Sequence, residues 1–328
     1  MKHLTRRVFS ATLASAAVLA YHPVQAQQDY PNRTIRLVVP FTAGGGGDAL
    51  GRVYAEKLSE ALKVPVIVDN RPGGGTIIGS NIVAKAEPDG YTMLLNVSLL
   101  ILTPFLHSKM PYDALADLTP VTDIASTPNW LAVSTRKTKA RTVKELVEDV
   151  KARPKDFNYG SLGNGSSGHL LGLALEKANG LSMLHVPYKG SAAGTLALIS
   201  GEIAITFADL VTLKPQVDAG TVRLLASTGT ERSGLTPDVP TLAELGYTGF
   251  ESLAWAAVFV PSKVPAGILN RLETATRKMM TDPELISKWR ALGFEPGGQP
   301  QAQFAAQLRA DSARWGDLIE EAGIKKVD

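Results

Sequence analysis

Three stretches set glycine beside hydroxyl or carboxyl side chains where an apolar run gives way to a helical one. The first is Pro40-Phe41-Thr42-Ala43-Gly44-Gly45-Gly46-Gly47-Asp48. The second is Asp69-Asn70-Arg71-Pro72-Gly73-Gly74-Gly75-Thr76, and the third is Gly160-Ser161-Leu162-Gly163-Asn164-Gly165-Ser166-Ser167-Gly168-His169. A helix N-terminus leaves up to four N–H groups without an intrahelical partner and carries partial positive charge, so it attracts carboxylate or phosphate. Glycine removes the Cβ that would hold an anion away from those groups. Thr76, Ser166 and Ser167 add hydroxyl donors without adding net charge. A single loop of this kind reads equally as a plain strand-to-helix turn; three in one chain favour anion binding. Asp48 divides between a helix N-cap and an acceptor for a ligand ammonium or hydroxyl.

Other chemistries find less support. Gly163-x-Gly165-x-x-Gly168 matches the dinucleotide fingerprint, and Gly44-x-Gly46-x-x-Ala49 matches it loosely. After the former, the next strand ends His185-Val186-Pro187-Tyr188-Lys189 without an acid to hold a ribose. Before the latter, Pro40 to Ala43 lengthens what should be a tight turn. An exported NAD(P)-dependent oxidoreductase stays open as the enzyme alternative. Beyond the leader the histidines are His107, His169 and His185, and no cysteine cluster or zinc motif offers a metal site. A Ser166–His169–Asp209 relay is conceivable, but nothing in the spacing demonstrates it.

The elements that would position these loops follow from periodicity. Ile35–Val39, Val64–Val68, Thr92–Asn96 and Trp130–Ser134 read as strands, as do Phe157–Tyr159, Ser182–Val186, Ile203–Phe207 and Val222–Ser227. Helical spacing joins Leu50, Tyr54, Leu58 and Leu62, and recurs over Val143–Ala152, His169–Ala178, Ile268–Met280 and Gln301–Glu321. Thr142 and Glu145 have the spacing of a capping box. Strand–helix alternation with short connections predicts an α/β fold with largely parallel sheets. It falls into two modules, with domain 1 over 27–127 plus 229–328 and domain 2 over 128–228.

Residues 1–26 read as a secretory signal outside the fold. Lys2, Arg6 and Arg7 precede an apolar Val8–Leu19 run, and Val24-Gln25-Ala26 supplies a cleavage site, with Sec and twin-arginine export both open. The chain carries 34 Lys+Arg against 31 Asp+Glu, but the leader holds three of those cations and no acid. The remainder is formally neutral, which gives no support to a nucleic-acid footprint. Cysteine is absent, so an exported chain of this size depends on its hydrophobic core.

In order, these motifs resemble the Bug family of periplasmic solute-binding receptors for tripartite tricarboxylate transporters. The resemblance is carried by Pro40-Phe41-x-x-Gly44-Gly45-x-x-Asp48, Asn70-Arg71-Pro72-Gly73-x-Gly75 and Pro88-Asp89-Gly90-Tyr91-Thr92. It continues through Asn158-Tyr159-Gly160-Ser161-x-Gly163-x-Gly165-Ser166, His169-Leu170, His185-Val186-Pro187-Tyr188-Lys189-Gly190 and Pro237-Asp238-Val239-Pro240-Thr241. It implies a two-domain periplasmic-binding-protein fold, type II-like, with each domain a mainly parallel sheet flanked by helices and a cleft between them. It further implies a monomeric, non-enzymatic periplasmic receptor that needs no cofactor or metal. That receptor would bind a small organic carboxylate and deliver it to membrane permease subunits, or present it to a sensor protein.

As site residues the resemblance implies Phe41, Gly45, Asp48, Gly75, Ser161, Gly163, Ser166 and His169. Ser167 and Asp209 follow from the second domain, and Thr42 and Thr76 from the loops themselves. Three departures bear on the ligand: Gly46-Gly47 replaces a bulkier pair, Thr76-Ile77 stands where Gly-Asn is common, and Ser98–Pro104 is unusually apolar. The last points to an aromatic or aliphatic acid.

Overall fold

The computed structural model describes residues 30–326 except 45, 127, 162, 189–190 and 251–254. The leader and Gly45 therefore lie outside the described residues. The chain first lays down β1 (Ile35–Val39), α1 (Gly46–Leu62), β2 (Val66–Asn70), α2 (Ile77–Ala84), β3 (Thr92–Val97), α3 (Leu99–Leu106) and β4 (Leu118–Ser126). It then crosses to β5 (Trp130–Ser134), α4 (Val143–Ala152), β6 (Asn158–Ser161), α5 (Ser167–Asn179), β7 (Leu184–Pro187), α6 (Ser191–Ser200), β8 (Ile205–Ala208), α7 (Leu210–Asp218) and β9 (Val222–Ser227). The return brings β10 (Trp255–Pro261), α8 (Ala266–Met279), α9 (Pro283–Ala291), β11 (Glu295–Pro296) and α10 (Gln301–Glu321).

Two sheets result, ordered β11-β4-β10-β3-β1-β2 and β7-β6-β8-β5-β9. Both are mixed. β2-β1-β3 and β7-β6-β8 are parallel, whereas β10 and β5 run antiparallel to their neighbours. Both antiparallel strands follow a passage between the sheets. The two passages are tied together: Thr228 N donates to Asn129 O at 2.8 Å, and Asn129 N to Thr228 Oγ1 at 2.9 Å.

Burial explains the elements. Leu50, Tyr54, Leu58 and Leu62 recur four residues apart and are all buried, so α1 packs one stripe on the sheet. The Tyr54 hydroxyl lies 2.8 Å from Thr276 Oγ1 and fastens α1 to α8. The capping box on α4 forms, with Glu145 N donating to Thr142 Oγ1 at 3.1 Å. α10 packs on α3 and β4 and reaches α5 beside the second sheet, where Lys177 and Glu321 pair at 2.5 Å. Among the described residues no helix is long and apolar enough to cross a membrane.

Candidate ligand-binding site

In the first loop, Asp48 is the third residue of α1 rather than its N-cap. Its Oδ2 accepts from Gly44 N at 2.8 Å and Arg52 Nε at 2.9 Å, and its Oδ1 accepts from Asn70 Nδ2 at 3.0 Å. Asn70 also donates to Phe41 O at 3.1 Å, which pins the start of the loop. The bond from Arg52, helped by that from Gly44, lowers the Asp48 carboxyl to about 2. This buried carboxylate braces the loop from beneath. Gly47 is required by the ring above it, because a β-carbon there would meet Phe41 Cδ2 at 2.5 Å, whereas at Gly46 it would meet nothing within 4 Å.

The second loop runs through four consecutive residues of positive φ, Gly73, Gly74, Gly75 and Thr76. A β-branched residue at φ 80° is strained. Thr76 is held there, buried, by Asn96 Nδ2, which donates to its Oγ1 at 3.1 Å and to Ser80 Oγ at 2.9 Å. Its hydroxyl thus serves the protein interior.

In the third loop, Ser166 caps α5, accepting from His169 N at 3.4 Å and donating to Gly163 O at 2.7 Å. His169 Nδ1 accepts from Gly165 N at 3.0 Å, so Nδ1 is unprotonated and any proton on the neutral ring sits on Nε2. The His169 ring stacks on His185 with centroids 3.8 Å apart, and His185 Nε2 lies 2.6 Å from Ser161 Oγ. Burial, with His185 close by, lowers the His169 imidazole to about 4. Its neutrality lets it keep accepting from Gly165. The conceivable relay is not assembled: Ser166 donates to a carbonyl, His169 accepts from a backbone amide, and Asp209 Oδ1 accepts from Thr212 N at 2.8 Å and Thr212 Oγ1 at 2.7 Å.

A cavity of about 1120 Å³ opens between the two sheets. Four of the described helices begin on its wall: α1 at Gly46 and Gly47, α3 at Ser98 and Leu99, α5 at Ser166 and Ser167, and α7 at Asp209 and Leu210. Each follows the carboxyl end of a strand (β1, β3, β6 or β8), where open α/β sheets place their ligands. The α7 start is filled by the protein's own Asp209 carboxylate.

Of the residues singled out from sequence, Phe41, Gly75, Ser166, Ser167 and Asp209 line the cavity. Asp48, Thr76 and His169 are buried behind that lining; Gly163 is half-buried and is held by Ser161 and Ser166. Ser161 is buried too and borders, with Ser167, a small side cavity of about 50 Å³. Thr42 is exposed on the first loop. Sequence reasoning passed over Asn129, Asn164, His107 and Lys325, which line the same cavity. Asn129 and Lys325 belong to no glycine loop; only the passage between sheets and the C-terminal end bring them there.

Two α/β domains around such a cleft make a periplasmic-binding-protein fold, the architecture of a solute receptor. Residues 50–324 match the tripartite tricarboxylate transporter family receptors, and the chain belongs to that family. It is 32% identical over 320 residues to the protein BugT of Bordetella pertussis, spanning 97% of each chain. Among solved structures, an adipate-bound protein of R. palustris is 35% identical with a TM-score of 0.73, covering 91% of this chain and all of that one. The malate-bound MatC of Rhodopseudomonas palustris is 25% identical with a TM-score of 0.67, covering 88% of this chain and all of its own. These relatives are solute-binding receptors, not enzymes, which removes the oxidoreductase alternative; receptors of the family are periplasmic.

Proposed function

We propose that the chain captures a small organic carboxylate in the interdomain cleft and hands it to the permease subunits of a tripartite tricarboxylate-type transporter. The observation that carries this reading is the convergence of helix starts from both sheets on one cavity. First-turn N–H groups receive an anion without a buried countercharge, and the cavity has few charged side chains, Asp209 and Lys325 among the described residues. The relatives with adipate and malate support the ligand class.

In this reading Phe41, Gly75, Ser166, Ser167 and Asp209 touch the ligand. Asp48, Thr76, Ser161, Gly163 and His169 hold the loops in shape, and Thr42 with Gly45 completes the first loop. The lobes are 27–127 with 229–328, and 128–228; the leader is removed near Ala26, and the receptor works as a monomer. Closure follows from contacts that the second lobe makes only once the ligand sits on the first.

A thermal-shift screen tests the carboxylate reading. A carboxylate at a hundred times its Kd stabilises the fold by about 2.7 kcal/mol, so the melting temperature rises, while the matching amide leaves it unchanged. Equal shifts with acid and amide would reject anion recognition.

A further inference from the structure

Beyond the carboxylate end, the cleft has a wall of different character. α3 borders the cavity with Leu99, Leu102, Thr103 and Leu106; Leu99 and Leu106 are half-buried and face it, and Leu102 and Thr103 are buried beneath them. Their spacing of i, i+3, i+4 and i+7 is one face of a helix. The single polar member of that face is turned away. Thr103 Oγ1 donates to Leu99 O at 2.5 Å, and its methyl faces the second loop, where a β-carbon on Gly75 would meet Thr103 Cγ2 at 3.3 Å. The face of α3 that borders the cavity therefore offers a ligand no side-chain hydrogen bond.

The same face reaches the other lobe. A β-carbon on Gly165 would meet Leu106 Cδ1 and Cδ2 at 2.5 Å, so Leu106 lies directly on the third glycine loop. An apolar ligand body laid along Leu99 and Leu106 would extend a surface that already bridges the two lobes. A hydroxyl laid there would leave water without finding a partner. The volume of about 1120 Å³ exceeds the usual ligand cavity of about 300–1,000 Å³, so a long body fits.

Resting on the carboxylate-receptor reading, we infer that α3 is the specificity wall of this receptor. It selects acids whose body is unsubstituted hydrocarbon, an aliphatic chain or an aromatic ring, against hydroxylated acids of the same length. Leu99 and Leu106 make the contact, with Leu102 packed beneath them. Gly75 stays bare so that the Thr103 methyl can close the wall against the second loop.

Isothermal titration of the purified mature receptor tests this with hexanoate, adipate and benzoate against 6-hydroxyhexanoate, 3-hydroxyadipate and 4-hydroxybenzoate, and with hexanamide as the neutral control. The hydrocarbon acids bind at least tenfold tighter than the hydroxylated ones, and hexanamide does not bind. Leu99→Asn brings the two groups to within about threefold. Leu106→Asn, at the far end of the same face, narrows the difference to within about threefold as well, and it decides the matter should Leu99→Asn fail to fold. Hydroxylated acids binding as tightly as hydrocarbon acids overturn the specificity wall while leaving the receptor reading standing. A tenfold preference that survives in the folded leucine variants overturns it too, since the α3 face would then not set it. If no acid in either group binds, or hexanamide binds equally well, the receptor reading falls and takes this inference with it.

Discussion

At the first glycine loop an ionised carboxylate, Asp48, reaches back from the third position of α1 to the Gly44 N–H; at the third loop a neutral imidazole, His169, reaches back from the third position of α5 to the Gly165 N–H. The spacing is the same and the chemistry is opposite. Asp48 draws in Arg52 and Asn70, so the first loop is knotted by ionic hydrogen bonds. His169 leans on the ring of His185, so the third loop is held by neutral hydrogen bonds, those of Ser161 and Ser166 to Gly163 included, and by aromatic packing. In both cases a side chain two residues into the helix takes an amide of the preceding turn. The helix's own opening residues, Gly46 and Gly47 or Ser166 and Ser167, are left facing the cavity. The two lobes thus reach one outcome by routes that respond differently to mutation and to pH.

The largest effect is expected at Asp48. Asp48→Ala removes three bonds to one buried carboxylate and costs about 2–3 kcal/mol in urea unfolding. His169→Phe keeps a ring on His185 and removes one hydrogen bond, so it costs less; equal losses would break the contrast between an ionic and a neutral brace. Next come the glycines. Gly165→Ala must hold φ +74° and displace Leu106, a loss of at least about 1–2 kcal/mol. Gly46→Ala has open space around its new carbon and stays within about 0.5 kcal/mol.

The third prediction separates the braces by pH. His169 titrates at about 4 in the fold against 6.5 ordinarily, so the folded state binds fewer protons over that interval. Its contribution is complete above pH 6.5 and is lost as pH falls towards 4. Asp48 titrates at about 2 against 3.8, so its contribution is complete above pH 3.8 and is lost only as pH falls towards 2. Unfolding free energies measured down the pH scale should show two declines. His169→Gln should shrink the upper one, leaving the part due to His185, which burial also lowers, and should leave the acidic one unchanged. The smallest effect is at Arg52, which is largely exposed. Arg52→Gln lets the folded Asp48 value rise back towards 3.8, so the acidic decline becomes smaller and the upper decline stays where it was.

Much of this was legible in the residues. Runs of glycine after β-branched stretches located all three loops, because few residues other than glycine tolerate positive φ. Which way a side chain faces was not legible. Asp48 and His169 are residue types that serve a ligand as readily as a backbone amide, and only the coordinates show their partners. α3 passed as an apolar run because LLILTPFL is hydrophobic on every face and carries Pro104, which leaves no amphipathic period to detect. β4 was missed for a related reason: Pro120 interrupts LTPVTDIAS, and a proline argues against a central strand even where, as here, β10 and β11 flank it. α7 and α9 likewise went unread, with Pro215 inside one and Pro283 opening the other.

The central claim is that amides at helix starts on both lobes grip one carboxylate, and a crystal structure with a bound acid tests it most directly. The expected result places the carboxylate oxygens about 2.7–3.2 Å from backbone N–H groups at the start of α1 or the second loop on one lobe, and at the start of α5 on the other. A carboxylate paired instead with Lys325 at the C-terminal edge, or resting outside the cleft, would contradict it.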